Sequence, residues 1–346
     1  MSDNPKKAEK EMEKAIFISA DCWLEVFDLL PPSQLGLGIA LISRRFDFYV
    51  DEHFKTRKWT LGQIIIQCKI GQNGAEEMEI VNSDEKALPI PQNPLPNKII
   101  GFRGIQIFYF DQNVLTFLHH FHRFFASSTT ELFILTENVS ILEFFMRNIW
   151  PMFNDTIREM YLKPIAFRQI RQFSPSILFD CPSLHFVFFD GGILPEFPPD
   201  DSANASDGQA VAKWLFSPHP DNLWKELSIE NPPVDQWPST VKQIKAAFLN
   251  ASSPVAFGIS VSFPPSSSFP AVLPFELTNE FTQEKLALSK EHANVFHLNR
   301  CPFVAKKRQQ QKIEGLGDRW NRIDFFVGDD GVGEGLLDNL PGPSDH

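Results

Sequence analysis

The chain has 346 residues, 43% of them hydrophobic and 22% charged, with 27 Pro and a formal charge of −11. That balance excludes a wholly disordered chain, a small disulfide scaffold and a mainly basic nucleic-acid binder. The length accommodates two or three globular units. The aromatic content is lopsided, with 34 Phe and 7 Trp against 3 Tyr. Phe carries no polar handle, so it builds interior or a surface that a partner covers. Acidity is uneven too: six acids and no Lys or Arg follow Arg322, leaving about −5 for the preceding 322 residues.

Residues 1–15 are polar and charged and are expected to be disordered. From residue 16 to 60 the pattern is helical. Ser19 is placed to cap a first helix with Asp21 in its opening turn, and Trp23, Leu24, Phe27 and Leu30 follow at helical spacing. Pro31-Pro32 ends it. Ser33 is placed to cap a second helix bearing Leu35, Ile39, Ile42 and Phe46, and a third is expected over 47–58 with Tyr49, Val50 and Phe54. Trp23, Leu24, Val26 and Phe27 cover more than one stripe of the first helix. Such a helix must be buried on two sides or by another chain.

These residues resemble the F-box family. Ile18-Ser19 stands at the start, where the family has Leu-Pro. Leu24-Glu25-Val26-Phe27 lies on the first helix, Leu41-Ile42-Ser43-Arg44-Arg45-Phe46 follows, and Lys58-Trp59 closes. The most specific part is Ile42-Ser43-Arg44-Arg45-Phe46. The segments ADCWLEVF, LPIPQNPLP, RQFSPSIL and PFELTN are similar to the expanded F-box families of nematodes. The resemblance implies a non-catalytic substrate receptor of a Skp1–cullin–F-box ubiquitin ligase, cytoplasmic or nuclear. The F-box would bind a Skp1-like adaptor, and cullin through it. The remainder would bind a protein substrate. The implied Skp1 contacts are Ile18, Leu24, Phe27, Leu30, Leu35, Ile42 and Phe46. The alternative is a ligase-independent scaffold that keeps a degenerate F-box as a packed cap.

Residues 61–98 read as a strand (QIIIQCKI) followed by a Pro-rich linker ending LPIPQNPLPNK. Over 99–263 short apolar runs recur, centred on Ile107, Phe133, Met160 and Val187 at separations of 26, 27 and 27 residues, then on Leu227 and Ile259 at 40 and 32. Amphipathic stretches at 114–125, 139–150, 165–178, 209–216 and 241–250 lie between them. Strands alternating with helices at this period indicate parallel β–α units within the leucine-rich-repeat range. Phe133 to Asn138 fits that repeat's core, but no Asn occupies the corresponding place after Met160 or Val187. The expected fold class is therefore mixed α/β: a three-helix F-box, then an irregular leucine-rich-repeat-like β–α solenoid. Residues 191–207 read as a disordered or plain connecting insertion. Residues 264–326 are expected to form an antiparallel β meander that caps the repeats, and 327–346 a disordered acidic tail.

Four cysteines (Cys22, Cys68, Cys181 and Cys301) lie 46, 113 and 120 residues apart, with no CxxC. Neither a zinc module nor a disulfide framework is indicated. The uncharged stretch 246–275 carries five prolines, Pro254, Pro264, Pro265, Pro270 and Pro274. No membrane span is expected from it. No GxSxG, HExxH or Walker sequence occurs, and neither catalytic residues nor cofactor or metal ligands are expected. Gly331-Val332-Gly333-Glu334-Gly335 only mimics a phosphate loop, because acids surround it. His119, His120 and His122 cluster on one expected helix and read as partly solvated imidazoles. Lys306-Lys307-Arg308 reads as solvated surface, not as a nucleic-acid contact.

Overall fold

The computed structural model describes residues 18–30, 35, 39–56, 59–68, 77–81, 90, 99–125, 129–265, 272–292, 294–302, 321–333 and 335–337. The chain divides into two compact units, residues 1–59 with 97–100 and residues 60–96 with 101–346.

The first unit contains α1 (Ala20–Phe27), a 3-10 turn (Ala40–Ile42) and α2 (Arg44–Thr56). Ser19 caps α1 from an extended backbone, its side chain accepting from the Cys22 amide. The expected second helix is described only as the 3-10 turn, since 31–34 and 36–38 lie outside the described residues. Ser43 is extended (φ −164, ψ 161), and its Oγ accepts from the Phe46 amide at 3.4 Å. This cap starts α2 at Arg44, so Phe46 belongs to the helix expected to begin at 47. Phe27, Leu35 and Val50 form the core, with Trp23, Leu24, Leu30, Phe46 and Phe54 packed around them. The Arg45 guanidinium donates to the Ile18 carbonyl at 3.1 Å and to Tyr49 Oη at 2.9 Å. This arginine of the Ser-Arg-Arg-Phe segment ties the entry of α1 to α2.

The second unit is mixed α/β around a mostly parallel sheet. Its strands are β1 (Trp59–Gln67), β2 (Glu77–Val81), β3 (Ile99–Ile107), β4 (Thr130–Ile134), β5 (Ile157–Leu162), β6 (Phe186–Asp190), β7 (Lys225–Glu230), β8 (Phe257–Ser262), β9 (Phe275–Asn279), β10 (Glu284–His292), β11 (Val295–Pro302) and β12 (Arg322–Phe325). Among the described residues they lie in the order β2-β1-β3-β12-β4-β5-β6-β7-β8-β11-β10-β9. The helices are α3 (Gln112–Phe125), α4 (Val139–Asn148), α5 (Pro164–Phe173), α6 (Asp207–Phe216) and α7 (Trp237–Leu249). Strands β4 to β8 follow one another in space as in sequence, all parallel. Right-handed crossovers that always step in one direction put their helices on one face.

Alternation along the strands separates the two faces. Leu132, Ile134, Met160, Val187, Leu227 and Val261 are buried at 0% exposure under the helices. Phe145 of α4 meets Phe325 at 4.6 Å between ring centroids, and Phe167 of α5 meets Phe189 at 5.1 Å. Each fully buried Phe contributes about 1.5–3 kcal/mol of transfer free energy, which accounts for much of the Phe surplus. Lys225 is buried at the start of β7, and its Nζ donates to the carbonyls of Trp214 and Ser217 at the end of α6. It thereby satisfies carbonyls that a helix end leaves open. Burial pushes its ammonium down to about 7.

Four features depart from the sequence reading. Strand β2 pairs antiparallel with β1 inside the segment taken as strand plus linker. Residues 191–206 are held in place: Arg171 donates to the carbonyls of Ser202 and Ala205 and, at 2.9 Å, to Asp207. Among the described residues the meander is β9–β10–β11. The segment Arg322–Phe325, assigned to it by its short alternating pattern, instead inserts as β12 between β3 and β4, parallel to both. Finally, part of the expected tail is built into the fold. Val327 is 1% exposed, and Phe110 exchanges backbone bonds with Gly331 and Gly333.

Candidate recognition surfaces

The residues implied as adaptor contacts separate into two groups. Phe27 and Leu35 are each 1% exposed and form the first unit's own core, so neither offers a side chain to a partner. Leu24, Leu30 and Phe46 are half-buried against that core. Phe46 meets Trp23 edge-on at 4.8 Å. Ile18 and Ile42 are exposed, at 40% and 63%. Three further apolar side chains are exposed that the motif did not single out: Val26, Leu29 and Phe48, with Leu29 at 84%. The width of the apolar stripe on α1 was the signal available for Val26. Nothing in the pattern marked Leu29 and Phe48 as exposed.

In the second unit the sheet face opposite Leu132, Met160, Val187 and Leu227 carries a second surface. Cross-strand register places Arg322, Glu131, Glu159, Phe186 and Glu226 in one row. The next row holds Asp324, Phe133, Tyr161, Phe188 and Ser228. The Phe133 and Tyr161 rings stack at 3.8 Å with 6° between planes. Phe186 and Phe188 flank Tyr161 at 5.4 and 5.6 Å. Beyond them Phe108 and Phe326 lie 5.1 Å apart, with Phe108 42% exposed. Tyr161 Oη donates to Glu159 at 3.0 Å.

Glu131 and Glu159 are direct cross-strand partners. Glu131 is buried, at 8% exposure, while Glu159 is half-buried. Partial withdrawal from water holds the Glu226 carboxyl above its usual range. Glu159 adds to that rise and His297 opposes it. The Arg322 guanidinium lies 3.9 Å over the Phe133 ring and donates to Asp324 at 2.7 Å. The face thus already accommodates one cation between an aromatic ring and carboxylates.

The remaining sequence candidates carry less. His119 and His122 are exposed and His120 half-buried on α3. The segment from Gly331 packs on the end of β3, where a Cβ at Gly331 would meet the Phe108 carbonyl at 2.5 Å. Its glycine serves close backbone approach, not a phosphate. Asn138 caps α4, accepting from the Ile141 amide at 3.1 Å, and donates to Asp329 at 2.7 Å. Lys306-Lys307-Arg308 lies outside the described residues. Among the described residues no helix is long and apolar enough to cross a membrane. No family model, curated protein or solved structure matches this chain.

Proposed function

We propose that the chain is a substrate-recognition adaptor of a Skp1–cullin–F-box ubiquitin ligase, with the first unit as the F-box and the β4–β8 run as an irregular β–α solenoid that presents substrate. The observation that carries this reading is the first unit. It is a small helical body whose Ser-Arg-Arg-Phe segment closes α1 onto α2, and which leaves Ile18, Val26, Leu29, Ile42 and Phe48 exposed. A body this small does not leave such apolar area in water without a partner, and an adaptor helix laid across it is a suitable cover. Skp1 contact then rests on these exposed side chains, while Phe27 and Leu35 support them from inside.

The test is co-expression with Skp1. Wild type should co-purify, and Leu29→Asp/Ile42→Asp should weaken the complex by about tenfold or more with the far-UV circular dichroism unchanged. Failure of wild type to co-purify removes the ligase reading and leaves a ligase-independent scaffold. Equal recovery of the double variant shows that the adaptor docks elsewhere.

The substrate surface in this reading is the open sheet face. Its stacked rings beside Glu159 and Glu226 fit an extended segment with Lys or Arg side chains, through cation–π contact and charge. Peptides selected from a random library by the wild-type chain should be enriched in Lys and Arg. Glu159→Ala/Tyr161→Ala should lose that enrichment. Selected peptides no more basic than the library would remove this face from the proposal.

A further inference from the structure

The geometry points to a binding site for a zinc-class divalent cation formed by His185, His219 and Asp221, independent of the adaptor reading. His185 lies just before β6, and His219 and Asp221 lie in the loop before β7. One ligand atom from each of the three falls within 4.8 Å of the others. Thirty-four residues separate the two histidines, so no close His/His spacing announces the group.

The protonation geometry argues for a cation in addition to proximity. His185 is 5% exposed, and its Nδ1 lies 2.7 Å from the Ser183 carbonyl. A carbonyl only accepts, so Nδ1 carries the proton and the neutral ring presents an Nε2 lone pair. That Nε2 lies 2.9 Å from Asp221 Oδ2 yet makes no hydrogen bond. A lone pair and a carboxylate turned on each other are relieved by a cation bound to both, the two ligand atoms spreading to about 3.3 Å around it. In His219 it is Nε2 that is free: Nδ1 donates to Asp221 Oδ1 at 2.5 Å, Nε2 is buried with no hydrogen-bond partner, and the ring is 4.1 Å from that of His185.

Two imidazoles and one carboxylate suit zinc, and three protein ligands leave a fourth position for water. The Asp221 side chain is 41% exposed, which opens that position to solvent. Cys181 is not part of the cluster, and its Sγ donates instead to the Ile177 carbonyl at 3.6 Å. The ion would join the loops that enter β6 and β7, two neighbouring parallel strands, and so clamp adjacent β–α units.

The experiment uses the full chain, stripped with a chelator and titrated with zinc chloride. Wild type should take up one equivalent that survives desalting, and its melting temperature should rise by several degrees through binding linkage. Cobalt in place of zinc should give the visible d–d absorption of a tetrahedral nitrogen–oxygen site. His185→Ala and Asp221→Asn should each bind at least about tenfold more weakly, whereas His119→Ala/His122→Ala should bind as wild type does. No retained zinc in wild type overturns the proposal. So does equal retention by wild type, His185→Ala and Asp221→Asn, which would assign the metal to other histidines or thiols.

Discussion

Glu284→Ala is expected to destabilise the second unit by about 3–5 kcal/mol, the cost of leaving a buried charge without its counter-ion. Arg300 and Glu284 are 1% and 0% exposed in their side chains, and Arg300 Nε donates to Glu284 Oε2 at 3.0 Å. The pair also organises the chain after α7: Glu284 Oε1 accepts from the Val255 amide, and Arg300 donates to the Ser253 carbonyl, both at 2.9 Å. Removing the carboxylate therefore orphans a guanidinium and an amide together. Replacing both partners, as Glu284→Met/Arg300→Met, should cost markedly less, since a buried pair exchanged for apolar groups of similar volume is often close to neutral. Chemical denaturation followed by near-ultraviolet circular dichroism measures both. A single variant no weaker than the double one would show that the charge is not isolated in the way its burial implies.

Phe325→Ala is expected to cost about 3–5 kcal/mol, in the range for deleting a fully buried aromatic ring. Its neighbour Phe326→Ala should cost under about 1 kcal/mol, as for a side chain on the more solvated face. Phe325 is 0% exposed and packs against Phe145 at 4.6 Å and Phe110 at 6.2 Å. Phe326 meets Phe108 on the opposite face. The last residue of β12 and its immediate successor thus differ several-fold in effect, a contrast that β pairing produces and a flexible tail does not. Equal, small effects from both would place β12 outside the sheet.

The repeat in the second unit was readable because its signal is local. Each run such as IREMYL or KELSIE alternates within a few residues and coincides with β5 and β7 residue for residue. Helix starts were readable where a side chain caps them, as at Ser19. What escaped depends on distant pairing. Nothing in RIDFF distinguishes a strand of the meander from one inserted between β3 and β4, because both demand the same alternation. The residues the resemblance implies as adaptor contacts show a related limit. An apolar helical position announces burial, but Phe27 is covered by its own unit while Leu29 is left outside. The cation ligands were hidden for a third reason. His185 and His219 meet only because β6 and β7 are neighbours, and the polar insertion between them hides that adjacency.

The placement of β12 sets a condition on synthesis. Gln106 of β3 and Asp324 of β12, bonded at 3.1 Å, are 218 residues apart in sequence. A ribosome must therefore have released residue 325 before the gap between β3 and β4 can close. Until then β3 and β4 each keep an edge exposed, the kind of edge that pairs with other chains. At about 5–20 residues per second, that interval lasts roughly ten seconds or more.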